Sequence, residues 1–370
     1  MEKEFLAEGK FGTGCLPQIE DERDLRYSAT GPFDWDLGFD IELLLGFRTT
    51  CATEGEFWGL GGREGWGVNR YREIVEECKK RKIARFKIPI KNQGASSSCT
   101  GQGLTYYLSV LNFIETGKWV EISARDVYAY IALSGGGAYL RDALALACDR
   151  GIATEELVPC YHRQVVNNRE FIDPYSEKEY LVKPEETFAV KAVRNALQSK
   201  EFELIKGEVT MDKMAWAMLM NFGVYFAVDG ENNGTWTNEF PQPPTTRKWG
   251  HALFGGVAKK ENSENIIGFP NSWGTVGVNG WQKLKNNYYL AGAVNSPWTL
   301  TDKNNNMANQ NTNAKIIKDT NSPAVGIWLP ALSQEALESL CLNFGIPIPK
   351  KPDASIDWQN WIEGNLTLNK

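Results

Sequence analysis

The chain has 370 residues, a formal net charge of -6, 42% hydrophobic residues and 23% charged residues, which is ordinary for a folded globular protein of two to three structural units. The acidic balance argues against a nucleic-acid footprint, which needs a clustered basic face. No apolar run is long enough to cross a membrane, and residues 1–20 lack the basic-then-apolar order of a secretory signal.

Residues 1–46 read as an extended arm, with turn signals at Gly14-Cys15-Leu16-Pro17 and Gly31-Pro32. Residues 53–70, rich in Gly and Trp, read as irregular. Tyr71 to Lys82 reads as a short amphipathic helix with Ile74, Val75 and Cys78 on one face. The only basic run, Lys79-Lys80-Arg81-Lys82, suits its C-terminal end. Leu104, Tyr107, Leu108, Leu111 and Ile114 then recur at helical spacing, and Gly117 supplies a stop. Ser123 with Asp126 resembles a capping box opening a helix through Ile131. A third helix is expected from Tyr139 to Asp149, and residues 160–186 read as polar and turn-rich.

From residue 187 the pattern turns towards strands. A helix from Asp212 to Asn221, closed by Gly223, precedes a strand over Val224 to Val228. Leu253 to Ala258 and Asn265 to Phe269 are expected to form a hairpin around Glu261-Asn262-Ser263-Glu264, and Trp281 to Leu284 a further strand. Helices first and strands second argue for an α+β fold. The expected organisation is an N-terminal arm and accessory or pro-segment (1–85), a helical subdomain (86–210), a β-rich subdomain (211–300), an Asn-rich linker (301–320) and an extension without an assigned role (321–370). Within the extension, Ser333 to Leu342 reads as a helix and Ile346-Pro347-Ile348-Pro349 as extended.

The chemistry is concentrated in Ile90-Lys91-Asn92-Gln93-Gly94-Ala95-Ser96-Ser97-Ser98-Cys99, a serine-rich loop that ends on the first residue of an amphipathic helix. A cysteine there lies among unpaired backbone N–H groups at the positive end of the helix dipole, and both favour the nucleophilic thiolate. The chain has two histidines. His162 lies in a polar loop and reads as solvated. His251 opens the apolar run His251-Ala252-Leu253-Phe254, where a structural and a catalytic role weigh evenly. Asn271-Ser272-Trp273-Gly274 follows twenty residues later at the end of an apolar strand. If those strands pair, the asparagine carbonyl accepts the imidazole N–H and fixes the ring, with Trp273 covering the bond. The plainer reading is Asn-Ser as a turn and Trp as core. Seven cysteines without CxxC or Cys/His ligand spacing suit scattered thiols, no metal site and a reducing, cytoplasmic compartment.

Together these residues resemble the papain family of cysteine peptidases. Gln93-Gly94 with Ser98-Cys99 is similar to its nucleophile loop, Gly250-His251-Ala252 to its histidine motif, and Asn271-Ser272-Trp273-Gly274-Thr275 to its asparagine motif, in the same chain order. Ile122-Ser123 and Gly151-Ile152-Ala153 extend the match. Leu16-Pro17 with Asp21-Glu22-Arg23-Asp24 resembles an arm found before the catalytic domain in bacterial, archaeal and viral members. The resemblance covers roughly residues 86–290 and that arm. Three features depart from it. Ser96 stands at a disulfide position, Thr100 replaces a tryptophan, and Gly101-Gln102-Gly103 suggests a loose first helical turn.

The resemblance implies a two-subdomain fold with a cleft between a helical and a β-barrel-like half. It implies Cys99 as nucleophile, His251 as general base, Asn271 as its orienting residue, and Gln93 with the Cys99 N–H as an oxyanion hole. It places extended peptide along Gly135, Gly136 and Gly137, with Trp273 at the site and Phe226 lining a specificity pocket. The expected partner is a protein or peptide substrate, with no nucleic acid, membrane, metal or organic cofactor. A non-catalytic binding module on the same scaffold, a cell-wall amidase or endopeptidase, and acyl transfer to an amine are the competing readings.

Overall fold

A computed structural model describes residues 6–301, apart from 19–20, 22–23, 29–31, 167–168, 200 and 206. The Asn-rich linker beyond Thr301 and the extension over 321–370 lie outside the described residues.

The arm begins with two short antiparallel strands, β1 (Leu6–Ala7) and β2 (Phe11–Gly12), and continues to β3 (Arg26–Tyr27) and β4 (Phe39–Asp40). Asp40 caps α1 (Ile41–Thr50), its carboxylate accepting the Leu43 N–H. The stretch expected to be irregular instead holds α2 (Glu54–Trp58), opened by a Thr53/Glu56 capping box, and a 3₁₀ turn over Gly62–Gly65. Its aromatic residues form a cluster in which Trp58 and Trp66 pack on Phe57 and Phe222. Helix α3 (Val68–Arg81) buries Tyr71, Ile74, Val75 and Cys78, and its basic run is at the C-terminal end. Residues 6–85 are therefore built into the same compact unit as the rest of the described chain.

Helix α4 (Cys99–Thr116) is buried along most of its length and closed by Gly117 in the left-handed conformation. It packs on α5 (Ala124–Ile131), whose N-cap Ser123 accepts the Asp126 N–H. The reciprocal half of the capping box is not made. The Asp126 carboxylate turns inward to the Ala153 N–H and to Arg194. Helix α6 (Leu140–Asp149) completes the helical layer. The polar segment that follows forms a hairpin, β5 (Tyr161–Val166) with β6 (Arg169–Pro174), then α7 (Glu177–Tyr180) and α8 (Phe188–Ala196).

Strand β7 (Glu201–Ile205) and helix α9 (Met211–Asn221) lead into β8 (Val224–Gly230), β9 (Trp249–Gly255), β10 (Val257–Glu261), β11 (Glu264–Pro270) and β12 (Trp281–Lys285), then α10 (Asn286–Leu290) and β13 (Val294–Thr301). Among the described residues they form two larger sheets, ordered β3-β7-β13-β8-β9 and β12-β11-β10-β4. All the larger pairings are antiparallel, β3 alone running parallel to β7.

The α+β expectation is met, with one correction. The run Leu253–Ala258 is not a single strand. The chain turns out of β9 at Gly255-Gly256, where the Gly256 N–H donates to Gly268 O, and re-enters as β10 in the other sheet. Strand β9 therefore pairs with β8, and the hairpin around Asn262-Ser263 joins β10 to β11.

Candidate active site

Two of the sequence motifs are stitched together by their backbones. The Gln93 N–H donates to Ser272 O (2.8 Å) and the Gly274 N–H to Lys91 O (3.0 Å), so the nucleophile loop runs antiparallel to the asparagine motif. This places the Gln93 side chain against Ser272, whose hydroxyl donates to Gln93 Oε1 at 2.5 Å. With its oxygen so held, the Gln93 amide directs its Nε2 donor outward, to Gly12 O at 3.0 Å and Ser96 O at 2.7 Å.

His251 is fully buried, and its Nε2 is 2.9 Å from Asn271 Oδ1. The orientation of this pair is fixed by a third residue that no motif marked. Gln282 donates through Nε2 to Trp236 O (2.8 Å) and Asn238 O (2.7 Å) and accepts the Asn271 Nδ2 through Oε1. Asn271 must then present oxygen to the ring, and His251 Nε2 must carry the proton. Nδ1 is left as a buried lone pair without a hydrogen-bond partner. Trp273 stacks on the imidazole, with ring centroids 4.2 Å apart, and Trp236 meets it edge-on. The two residues come together through the folding of the β9 and β11 sheets around these tryptophans, because β9 and β11 are not neighbours in one sheet.

Cys99 is the first residue of α4 and is fully buried. The N–H groups of Ala252, Thr100 and Cys15 face its sulfur. Helix α4 reaches the histidine strand because Gly103 has no side chain. A Cβ there would lie 3.0 Å from Tyr225 Cε2 and 3.2 Å from Leu253 N, while one at Gly101 would lie 2.5 Å from Ala124 O. The glycines expected to loosen the first turn are points of close backbone approach. Burial pushes the Cys99 thiol up to about 12, outweighing the three N–H groups that favour the thiolate. Burial likewise pulls His251 down to about 4, against the Asn271 hydrogen bond. Both shifts favour the neutral thiol and the neutral imidazole.

The chain's own arm lies over the site and contributes to that burial. The N–H groups of Gly14 and Cys15 both donate to Gly250 O (3.0 Å each), Ala138 N–H donates to Gly14 O (2.8 Å), and Leu16 N–H donates to Ala138 O (3.1 Å). Arg247, fixed by Asp229 at 2.5 Å, donates Nη2 to Cys15 O at 3.2 Å. Gly250 must be a glycine, since a Cβ would lie 2.1 Å from that oxygen. Upstream, Gly12 O accepts both Gln93 Nε2 and Trp273 Nε1 (3.0 Å each), and Phe11 stacks on Trp273. Downstream, Arg141 at the start of α6 pairs with Asp24 and lies 4.0 Å from Asp21.

Gly135, Gly136 and Gly137 sit beside the arm, and the Gly136 and Gly137 N–H groups and the Gly137 carbonyl are engaged locally. Gly136 N–H bonds Leu133 O, Leu133 N–H bonds Gly137 O, and Gly137 N–H bonds the Tyr128 hydroxyl. The extended segment pairs with Ala138 instead. The Tyr128 hydroxyl donates to Glu177, whose other oxygen accepts the Ser97 N–H, so Glu177 ties this turn to the nucleophile loop. Phe226 is fully buried on the face of β8 opposite Tyr225, and the Tyr225 hydroxyl reaches Thr100 O on α4. Phe226 packs near Gly255 in the core. His162 is exposed and pairs with Glu179 at 2.7 Å. Among the described residues all cysteines are free thiols and no cluster of metal-ligating side chains occurs. No helix of the described residues is long and apolar enough to cross a membrane.

No family model matches the chain, and no curated protein does. Solved structures do. Xylellain, a cysteine protease from Xylella fastidiosa, superposes with a TM-score of 0.54 at 16% identity, covering 80% of this chain and 97% of its own. The procathepsin B S9 of Trypanosoma congolense gives 0.50 at 14% identity, covering 79% and 87%. At these identities the likeness establishes the fold, which is papain-like.

Proposed function

We propose that the chain is a cysteine peptidase that hydrolyses peptide bonds through a thioester acyl-enzyme. The observation that carries this reading is the oriented imidazole. Gln282 and Asn271 hold its Nε2 as a donor and leave the Nδ1 lone pair unpartnered, on the residue next to Ala252, whose N–H faces the Cys99 sulfur. A satisfied structural histidine has no need of a fixed, empty lone pair. Bound in the open cleft, Cys99 would pass its proton to Nδ1 and attack the substrate carbonyl. His251 would return that proton to the leaving amine and then activate water. Gln93 Nε2, which already holds a carbonyl oxygen, and the Cys99 N–H would stabilise the oxyanion.

The arm supports peptide as the substrate class. Ala138 and Gly250 grip it through main-chain groups on both sides, which any extended chain satisfies regardless of side chain. It is a blocking ligand and not a substrate in this pose. The group facing the sulfur is the Cys15 N–H, whereas the carbonyl held by Gln93 belongs to Gly12.

The test is labelling of the native protein with a cysteine-directed peptidyl epoxide, mapped by mass spectrometry, beside His251→Ala. Single-site modification of Cys99 that collapses in the variant is the expected result. Labelling spread over several cysteines and unchanged in His251→Ala would overturn the reading in favour of a binding module.

A further inference from the structure

We propose that Cys15 of the arm and Cys99 form a reversible disulfide that locks the arm in the cleft, the oxidant being a low-molecular-weight disulfide of the glutathione type. The inference rests on the reading of Cys99 as a reactive thiol. Its geometry comes from the arm. The in-plane groups around Cys15 are all committed, the N–H and C=O to Gly250 and Arg247 on one side, and the flanking Gly14 O and Leu16 N–H to Ala138 on the other. The Cys15 side chain must therefore project out of that plane. It is 2% exposed, so it projects into the floor of the cleft and not towards solvent.

Three interactions locate it there. The Cys15 N–H faces the Cys99 sulfur, the charge of a Cys99 thiolate acts on the Cys15 thiol, and both act on the Tyr225 hydroxyl bonded to Thr100 O. The Cys15 sulfur itself makes only a weak contact, 3.7 Å to Leu16 O. Nothing in the packing requires a thiol at this position, and the floor beneath it carries the reactive one. The other fully buried thiol, Cys160, is held elsewhere, by Ser123, the Arg125 N–H and Glu155.

The exchange balances without a further reagent. With the arm lifted, the Cys99 thiolate attacks one sulfur of the small disulfide, forming a mixed disulfide. The released small thiolate takes up the proton that Cys99 lost. As the arm closes, the Cys15 thiolate attacks the Cys99 sulfur, and the second small thiolate leaves with the Cys15 proton. Two protein thiols and one small disulfide become one protein disulfide and two small thiols. Reduction by a dithiol reverses both steps.

The full-length protein is equilibrated with oxidised glutathione, alkylated and digested with trypsin without reduction. Cys15 lies alone in the tryptic peptide Phe11–Arg23 and Cys99 alone in Asn92–Lys118. The expected product is these two peptides linked, with loss of both free thiols, restored by dithiothreitol. In Cys15→Ser the link must vanish and Cys99 must carry glutathione instead. Cys99 recovered in wild type only as a glutathione adduct, or joined to another cysteine while Cys15 stays free, overturns the latch. The link is read by mass alone. Epoxide labelling of the reduced protein reports separately on the peptidase reading, so either can fail without the other.

Discussion

At the residue scale the site is a sequence of oriented amides. Ser272 turns the Gln93 amide so that its nitrogen faces the cleft, and Gln282 turns the Asn271 amide so that its oxygen faces His251. Gln93→Ala removes a donor that already holds a carbonyl oxygen. Loss of one such donor costs roughly 2.7–4 kcal/mol of barrier, so turnover on a peptide substrate should fall a few hundredfold with the circular dichroism spectrum unchanged. Near-full turnover would exclude the oxyanion role. Gln282→Leu tests the remoter amide. It leaves the buried Trp236 O and Asn271 N–H without this partner, at about 1–3 kcal/mol for each unmade bond, and the part-buried Asn238 O at less. It also frees Asn271 to flip. The expected outcome is slower epoxide labelling of Cys99 together with a lower denaturation midpoint, and Gln282→Glu should restore part of the labelling rate, since a carboxylate can still accept from Asn271, but not the midpoint, since it meets Trp236 O and Asn238 O without a donor. A fall in stability with labelling unchanged would make Gln282 purely structural.

At the scale of elements, α4 and β9 carry the thiol and the imidazole, and their close approach depends on Gly103. An Ala there would gain helix propensity in an exposed helix. Here its Cβ meets Tyr225 and the Leu253 backbone, and overpacking of that kind costs about 1–3 kcal/mol. Gly103→Ala should therefore lower stability in urea denaturation; a neutral or stabilising result would mean the two elements have slack. This scale also shows what was legible beforehand. Helices α4 and α6 and strand β8 followed from spacing, because each buries an apolar face. The β5–β6 hairpin did not, since Val165, Phe171 and Ile172 are exposed and no buried face imposes a period. The break at Gly255-Gly256 was hidden because the apolar run continues across it. At the site, Gln93, Cys99, His251, Asn271 and Trp273 could be singled out because each lies in a short local motif. Gln282, Ala138 and Glu177 lie in no motif and reach the site only through the fold.

For the whole molecule, the decisive contact is that of the arm with the site, where the thiol and the imidazole are both buried. Two consequences are measurable. The first concerns the peg at the start of α6. Arg141 holds Asp24 and neighbours Asp21, and hydrogen bonds to charged groups contribute about 1.5–3 kcal/mol. Arg141→Ala, which touches none of the reacting groups, should shift the arm towards the open state and raise the rate of Cys99 labelling about tenfold or more. An unchanged rate would mean that the contacts of residues 11–16 hold the arm unaided.

The second follows from charge. His251 is held neutral, at about 4 against an ordinary 6.5, so its contribution to the closed fold is fully present above 6.5 and is lost as pH falls from 6.5 towards 4. Cys99 is held protonated, at about 12 against an ordinary 9.0, so its contribution is present below 9.0 and is lost as pH rises beyond it. The closed molecule should be most stable between these limits. On the acid side the imidazole accounts for roughly 3 kcal/mol by pH 4, at about 1.4 kcal/mol per unit. Unfolding free energies of wild type and His251→Gln, measured from pH 4 to 8, isolate that share. The variant should lose less stability on acidification, and parallel curves would mean that the ring is not held neutral by the arm's burial.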